Sequence, residues 1–86
     1  MVEILNFQIL DDHLIRFEFS DGTLKIVDFK PFIGEDSLTK PLADPGYFRQ
    51  AKLYDRGRGI YWPNEYDVCP DFLRDYAEEV TLQPAA

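Results

Sequence analysis

The sequence is poor in the residues on which most enzymes and metal sites depend, with one cysteine and one histidine in 86 residues. The lone Cys69 excludes an internal disulfide and a cysteine-rich zinc site. His13 follows two aspartates at an expected surface turn, so a nucleophilic triad would depend on one badly placed residue. No apolar run approaches the roughly 18 residues that span a bilayer. The N-terminus has no basic region and no small-residue cleavage site. We therefore expect a cytoplasmic protein with no membrane contact and no cofactor.

Positive charge is also scarce, because nine Lys and Arg stand against 16 Asp and Glu and give a net charge of −7. This excess of acid disfavours whole-surface binding to nucleic acid and docking on anionic lipid. Hydrophobic residues still make up 45% of the chain and aromatics 15%, which is enough to fold. Without repeats or linkers, residues 1–80 are predicted to form a single domain. Residues 81–86 lack periodicity and are predicted to be a frayed tail.

The clearest local signal is Asp21-Gly22 between two apolar-rich runs, which predicts a β-hairpin with a two-residue type I′ turn. The implied register pairs apolar residues with each other and opposite charges with each other. Its pairs are Phe19 with Leu24, Phe17 with Ile26, Ile15 with Asp28, Arg16 with Val27 and Glu18 with Lys25. Asp28 therefore falls on the apolar face, where we expect it to accept hydrogen bonds from the backbone of residues 29–34.

The remaining pattern predicts three strands and two short helices. A first strand at residues 3–9 has its predicted apolar face formed by Leu5, Phe7 and Ile9. A second hairpin is predicted from residues 52–55 and 60–62, ending at Pro63-Asn64. The predicted class is α+β, with a small, mainly antiparallel sheet built from hairpins and with two short helices.

Proline marks the start of both helices. Asp44-Pro45 predicts a helix at residues 45–51, since Asp accepts free amide hydrogens and Pro suits the first helical position. Pro70 opens a helix that is predicted to run to about Val80. Its predicted apolar side consists of Phe72, Leu73, Tyr76 and Val80.

No set of residues for catalysis or metal binding emerges. Cys69 lies near a predicted helix N-terminus, which favours a reactive thiolate, but the neighbouring acids favour the thiol. Asp67 and Asp71 are four residues apart, but Pro70 interrupts any common helical face. Acidic turns at residues 11–12 and 35–36 are interpreted as solvated. We therefore assign no catalytic, cofactor-binding or metal-binding residue.

Charge is distributed unevenly along the second half of the chain. Residues 49–58 carry a local charge of +3, whereas residues 65–79 carry six acids against Arg74, a local charge of −5. Such polarity suits docking of oppositely charged partners. The alternative to docking is a structural role: the basic stretch would form a charged hairpin tip that keeps a sheet edge soluble. A weak nucleic-acid contact, with Tyr54, Tyr61 and Trp62 stacking on bases, is the other alternative.

Five motifs in order resemble the bacterial family catalogued as domain of unknown function 2442. They are Phe19-Ser20-Asp21-Gly22, Asp28-Phe29-Lys30-Pro31, Pro41-Leu42-Ala43-Asp44-Pro45-Gly46-Tyr47-Phe48, Trp62-Pro63-Asn64 with Asp67, and Pro70-Asp71-Phe72-Leu73. The family often has Gly after the Asn, where this chain has Glu65. The resemblance implies a fold like the N-terminal domain of a Nitrosomonas helix-turn-helix protein, and an antitoxin-like role beside a small partner. It implies no site residues.

We interpret the chain as a non-enzymatic protein-interaction module, antitoxin-like in the sense of the family, with a small basic protein as the expected partner. One alternative is a small enzyme or ligand-binding protein using the Trp62–Asp67 region, and another is the nucleic-acid contact through Arg49–Arg58. Self-association is compatible with the same features. The candidate interaction residues are Trp62, Tyr61, Asp67, Arg56, Arg58, Asp75, Glu78 and Glu79.

Overall fold

The structure is a computed structural model that describes residues 2–76. Two antiparallel three-stranded sheets have the orders β1-β2-β3 and β4-β5-β6. The strands are β1 (Ile4–Ile9), β2 (Leu14–Phe19), β3 (Leu24–Asp28), β4 (Lys52–Leu53), β5 (Ile60–Tyr61) and β6 (Asp67–Val68), and the helices are α1 (Pro45–Phe48) and α2 (Pro70–Tyr76). Short 3₁₀ helices lie at Lys30–Phe32, Lys40–Ala43 and Asp55–Gly57. The α+β class is confirmed; Val80 and the predicted tail lie outside the described residues.

The β2–β3 hairpin forms where it was predicted, but its register is shifted by one residue. Phe17 pairs with Lys25 and Ile15 with Val27. The loop has three residues, because the Phe19 amide donates to the Thr23 carbonyl and the Gly22 amide donates to the Phe19 carbonyl. Of the loop residues only Gly22 has a positive φ, as in a type I turn closed by a glycine bulge. The predicted type I′ turn was therefore wrong.

The shift changes which β3 side chains are buried. Val27 is fully buried, whereas Ile26 is 36% exposed. Asp28 pairs with Leu14, so its predicted place on the apolar face was wrong. Its carboxylate accepts a hydrogen bond from the Lys30 amide at 2.9 Å, as expected for a residue that ends a strand.

Strand β1 contains a bulge that exchanges the faces on which Ile4 and Leu5 were predicted to lie. The register with β2 shifts between Ile4 and Asn6. Ile4 is consequently buried and Leu5 is 56% exposed, so the predicted place of Leu5 on the apolar face was wrong. Phe7 and Ile9 pack against the core, as predicted.

The second sheet is made of shorter strands than predicted. Its first two strands have two residues each, and a 3₁₀ turn at Asp55–Gly57 occupies part of the predicted loop. The third strand, β6, was missed, because Pro63-Asn64 was interpreted as the end of the sheet. These residues instead form a tight loop, in which the Trp62 amide donates to the Tyr66 carbonyl and the Glu65 amide donates to the Trp62 carbonyl.

Both helices begin at the predicted prolines. Asp44 caps α1, since its carboxylate accepts from the Tyr47 amide at 2.9 Å. In α2, Leu73 is fully buried, but Phe72 and Tyr76 are about half exposed. The prediction that all three share a buried side was therefore wrong for the two aromatic residues.

One core joins the two sheets. It consists of fully or almost fully buried apolar side chains from every part of the described chain: Ile4, Ile15, Phe17, Phe19, Val27, Phe29, Leu42, Phe48, Ile60, Trp62 and Leu73. The sheets also meet at Gly57, where an added Cβ would lie 1.9 Å from the Ile4 carbonyl oxygen. Only a residue without a side chain allows this close approach of two backbones.

We expect Gly57→Ala to lower the free energy of unfolding by about 2–4 kcal/mol, because it adds a steric overlap to an unfavourable positive φ. Gly22→Ala is the matched control, since Gly22 also has a positive φ but has nothing within 4 Å of its added Cβ. It should cost only about 1 kcal/mol. Urea unfolding of both variants measures the difference, and equal losses would contradict a backbone contact at Gly57.

Candidate functional site

Trp62 lies in the core rather than on the surface. It is fully buried, and its indole Nε1–H donates to the Phe48 carbonyl oxygen at 2.9 Å. Its ring centroid lies 5.6 Å from those of both Phe29 and Phe48. Because its side chain has no exposed surface, Trp62 cannot contact a partner. Its packing instead holds the neighbouring residues of the candidate site in position.

Tyr61 and Asp67 lie side by side on the outer face of the second sheet. Lys52 pairs with Tyr61, and Tyr61 pairs with Asp67, so the three residues form one cross-strand row. Tyr54 completes the group: its hydroxyl donates to the Asp67 carboxylate at 3.0 Å and its ring stacks on Tyr61 at 4.4 Å. The hydrogen bond to Asp67 raises the pKa of Tyr54 above its ordinary value.

A shallow pocket of about 260 Å³ lies beside this row and is lined by Gln50, Lys52, Tyr61 and Pro63. Neither Trp62 nor Asp67 lines it. Acid–base chemistry needs a titratable pair directed at one point, but Asp67 is engaged by the Tyr54 hydroxyl outside the pocket. The arrangement therefore suits contact with a partner's side chain better than it suits catalysis.

The basic residues of the second sheet form no ion pairs with the described carboxylates. Arg56 and Arg58 are exposed, and Arg56 has a positive φ of 62° in the 3₁₀ turn. Within residues 2–76, Lys30, Lys40 and Arg74 each lie within 4 Å of a carboxylate. No such contact is formed by Arg49, Lys52, Arg56 or Arg58. The structure thus leaves this charge available at the surface.

The acidic residues of α2 have different hydrogen-bond and ion-pair partners. The Asp71 carboxylate accepts from the Val2 amide at 3.0 Å, so it ties the helix to the start of β1. Arg74 connects Asp75, at 3.2 Å, to Asp21, at 3.0 Å. Hydrogen bonds from Thr23 and from Arg74 lower the pKa of Asp21 to about 2. Of the three acids predicted to form an interaction face, Asp75 is exposed, and Glu78 and Glu79 lie outside the described residues.

An exposed aromatic cluster, formed by Phe32, Phe72 and Tyr76, was not predicted as a site. The Phe72 and Tyr76 rings stack at 5.5 Å, and Phe32 lies 5.9 Å and 5.0 Å from them. Phe72 is 49% exposed and Tyr76 is 46% exposed. The spacing i, i+4 on a helix that also buries Leu73 was the available signal, because an amphipathic helix buries one side and Leu73 lies on that side.

His13 makes local contacts at its turn, and Cys69 lies at the surface. His13 lies at the β1–β2 turn, as expected, with one ring nitrogen 2.8 Å from the Leu42 carbonyl and its ring 4.7 Å from Phe48. A pocket of about 150 Å³ beside it is also lined by Asp12 and Arg49. Cys69 is free and exposed. Within residues 2–76, no three His, Cys, Asp or Glu side chains are grouped closely enough to hold a metal ion.

The loop between β5 and β6 is fixed by Asn64. Its side-chain amide donates to the Leu38 carbonyl, its side-chain oxygen accepts from the Tyr66 amide, and its backbone amide donates to the Tyr47 hydroxyl. Glu65 follows with a φ of 72°, a conformation that favours glycine. Glu65, which stands where the family often has Gly, therefore carries a conformational cost that glycine would not carry.

A family model described as "Protein of unknown function (DUF2442)" matches residues 4–79. The chain belongs to this family, as its five motifs indicated. Neither a search of the curated proteins nor a search of the solved structures found a match. Across the described part of the chain, no helix is both long enough and apolar enough to cross a membrane.

We expect Trp62→Ala to cost about 3–5 kcal/mol, which would leave most of a domain this small unfolded. Trp62→Phe keeps an aromatic ring but leaves the Phe48 carbonyl unpaired, so it should cost about 2–3 kcal/mol. Chemical denaturation followed by circular dichroism measures both, with Leu5→Ala as the exposed apolar control. A wild-type midpoint in Trp62→Phe would mean that the buried hydrogen bond contributes nothing.

Glu65→Gly should raise the free energy of unfolding by about 0.5–1 kcal/mol, because glycine adopts a positive φ without steric cost. The control, Glu65→Gln, removes the same charge and keeps the unfavourable φ. If the two variants have the same stability, the gain comes from charge and the loop is not strained.

Proposed function

We propose that the protein is a non-enzymatic interaction module that docks a basic partner protein in the cytoplasm. The contact surface is the aromatic cluster of Phe32, Phe72 and Tyr76 together with the acidic residues of 65–79. The observation that carries the proposal is the exposure of two stacked aromatic rings, about half accessible, on α2. Aromatic residues dominate the energy of protein interfaces when a partner covers them.

The packing of α2 supports this choice of surface. Leu73 is fully buried against the core and α2 lies against β3, so packing holds the helix with Phe72 and Tyr76 on its exposed side. Preformed side chains lose little conformational entropy on binding. The cluster is continuous because Phe32, which ends the 3₁₀ helix that follows β3, contacts both rings.

Charge supports a basic partner. The protein carries a net charge of −7, and residues 65–79 contribute −5 of it. Complementary charge accelerates association and selects among partners more than it adds affinity. An antitoxin-like role is the form of this function that the family resemblance suggests, and it would require the partner to be the protein whose activity is blocked.

The other two functions have less support. The first is ligand binding or catalysis in the Trp62–Asp67 region. It has less support because Trp62 is buried and Asp67 lies outside the neighbouring pocket. A nucleic-acid contact through Arg49–Arg58 is supported by cations that have no carboxylate partner within residues 2–76 and by the stacked Tyr54 and Tyr61. Such a contact would have to overcome the repulsion between the phosphates and the protein's net charge of −7.

The test is affinity capture from the native host with three forms of the protein, followed by measured binding of whatever protein is retained. Phe72→Ser combined with Tyr76→Ser should reduce its affinity by at least about tenfold, since two interface aromatics are lost. The control is Tyr54→Ser, which removes an exposed aromatic from the other sheet. Thermal unfolding establishes that both forms remain folded.

A third form tests the charge. Asp75→Asn, Glu78→Gln and Glu79→Gln together should slow association and reduce its dependence on salt, with little loss of stability. Equal binding by the wild type and the Phe72/Tyr76 variant would refute the proposed surface. Retention of nucleic acid alone would favour the contact through Arg49–Arg58.

A further inference from the structure

A pocket of about 150 Å³ lies between α1 and the turn that joins β1 to β2. A cavity of this volume can hold a group the size of benzene. Its walls combine apolar and charged side chains, and it shares no residue with the aromatic cluster on α2. The apolar lining includes Ile9, Pro45 and Phe48, and the polar lining consists of Asp12, His13 and Arg49.

Helix α1 presents one side to this pocket. Pro45, Phe48 and Arg49 have the spacing i, i+3 and i+4, which places them on the same side of a helix. Phe48 is almost fully buried and forms the inner wall, whereas Arg49 is exposed at the mouth. The Arg49 guanidinium has no carboxylate within 4 Å among the described residues, so it is available to an anionic group.

The turn on the other side of the pocket holds His13 in a fixed orientation. Asp12 and His13 have positive φ values of 60° and 66°, which Asp and His tolerate better than most residues. The His13 Nε2 lies 2.8 Å from the Leu42 carbonyl oxygen, and its ring lies 4.7 Å from that of Phe48. Because a carbonyl oxygen only accepts hydrogen bonds, Nε2 carries the proton, and Nδ1 of the neutral ring remains as an acceptor.

Asp12 supplies a second acceptor. One of its carboxylate oxygens accepts from the Lys30 ammonium at 2.7 Å, and this hydrogen bond lowers the pKa of Asp12, so the carboxylate is ionised at neutral pH. The other oxygen has no partner among the described residues. Asp12 and Arg49 line the same pocket without forming an ion pair. The pocket therefore keeps one cationic donor apart from two acceptors, with apolar walls between them.

We propose that this pocket binds a free α-amino acid with a small apolar side chain. The ligand's carboxylate accepts hydrogen bonds from Arg49, and its ammonium group donates to Asp12 and to Nδ1 of His13. Its side chain lies against Ile9 and Phe48. A ligand with only one of the two charges would leave a group of the pocket without a partner. Because such a ligand has only about ten heavy atoms, we expect a roughly millimolar dissociation constant.

Two-dimensional ¹H–¹⁵N NMR of the intact chain, titrated with L-leucine at constant neutral pH and ionic strength, tests the site. The amide signals of residues 9–13 and 45–49 should shift. Two matched ligands, 4-methylpentanoate without the ammonium group and 3-methylbutylamine without the carboxylate, should each bind at least about tenfold more weakly. No shift with L-leucine, or shifts confined to other residues, would overturn the site. Equal binding of L-leucine and 4-methylpentanoate would overturn recognition of both charges.

Two variants separate the charged contacts. Arg49→Gln should weaken binding of L-leucine and 4-methylpentanoate by about tenfold and leave 3-methylbutylamine unaffected. Asp12→Asn, which keeps a residue that tolerates positive φ, should weaken L-leucine and 3-methylbutylamine but not 4-methylpentanoate. The control is Arg58→Gln, which removes another exposed arginine and should bind like the wild type. The same spectra show whether each variant is folded, and unchanged L-leucine binding by folded Arg49→Gln would overturn the proposal.

Discussion

The fold depends on the burial of Trp62. A single indole contacts Phe29 from the end of the first sheet and Phe48 from α1, and it donates its only polar hydrogen to the Phe48 backbone. In a chain of 86 residues, no second core could compensate for its loss. Because strand side chains alternate, the same burial turns its neighbour Tyr61 to the outer face. The position of Tyr61 beside Asp67 is thus a consequence of packing.

The sequence predicted the class, the helix starts and the position of the first hairpin, because each depends on residues adjacent in the chain. It did not predict the register. A two-residue and a three-residue loop both suit Asp21-Gly22, and they differ by one residue, which moves every β3 side chain to the opposite face. The bulge at Leu5 has a similar origin, since it lies where β1 meets Gly57, a contact between residues more than fifty positions apart.

The candidate site was predictable only in part, for the same reason. Charge can be counted along the chain, so the basic and acidic stretches were recognised. Exposure cannot be counted in the same way. Trp62 was a candidate contact residue and is fully buried, whereas Phe72 and Tyr76 were predicted on the apolar side of the last helix and are about half exposed. Leu73 takes the core position of α2, and Phe72 and Tyr76 lie against Phe32 and the solvent.

The exposed features lie on different elements, which argues for separate contacts rather than a single site. The cations at residues 49–58 lack carboxylate partners among the described residues, whereas the exposed aromatic rings lie on α2. A catalytic centre would require such groups to converge in one water-excluding pocket. Within residues 2–76, every buried side-chain nitrogen and oxygen has a hydrogen-bond partner. The proposed recognition of a partner uses the exposed groups alone and leaves this buried network intact.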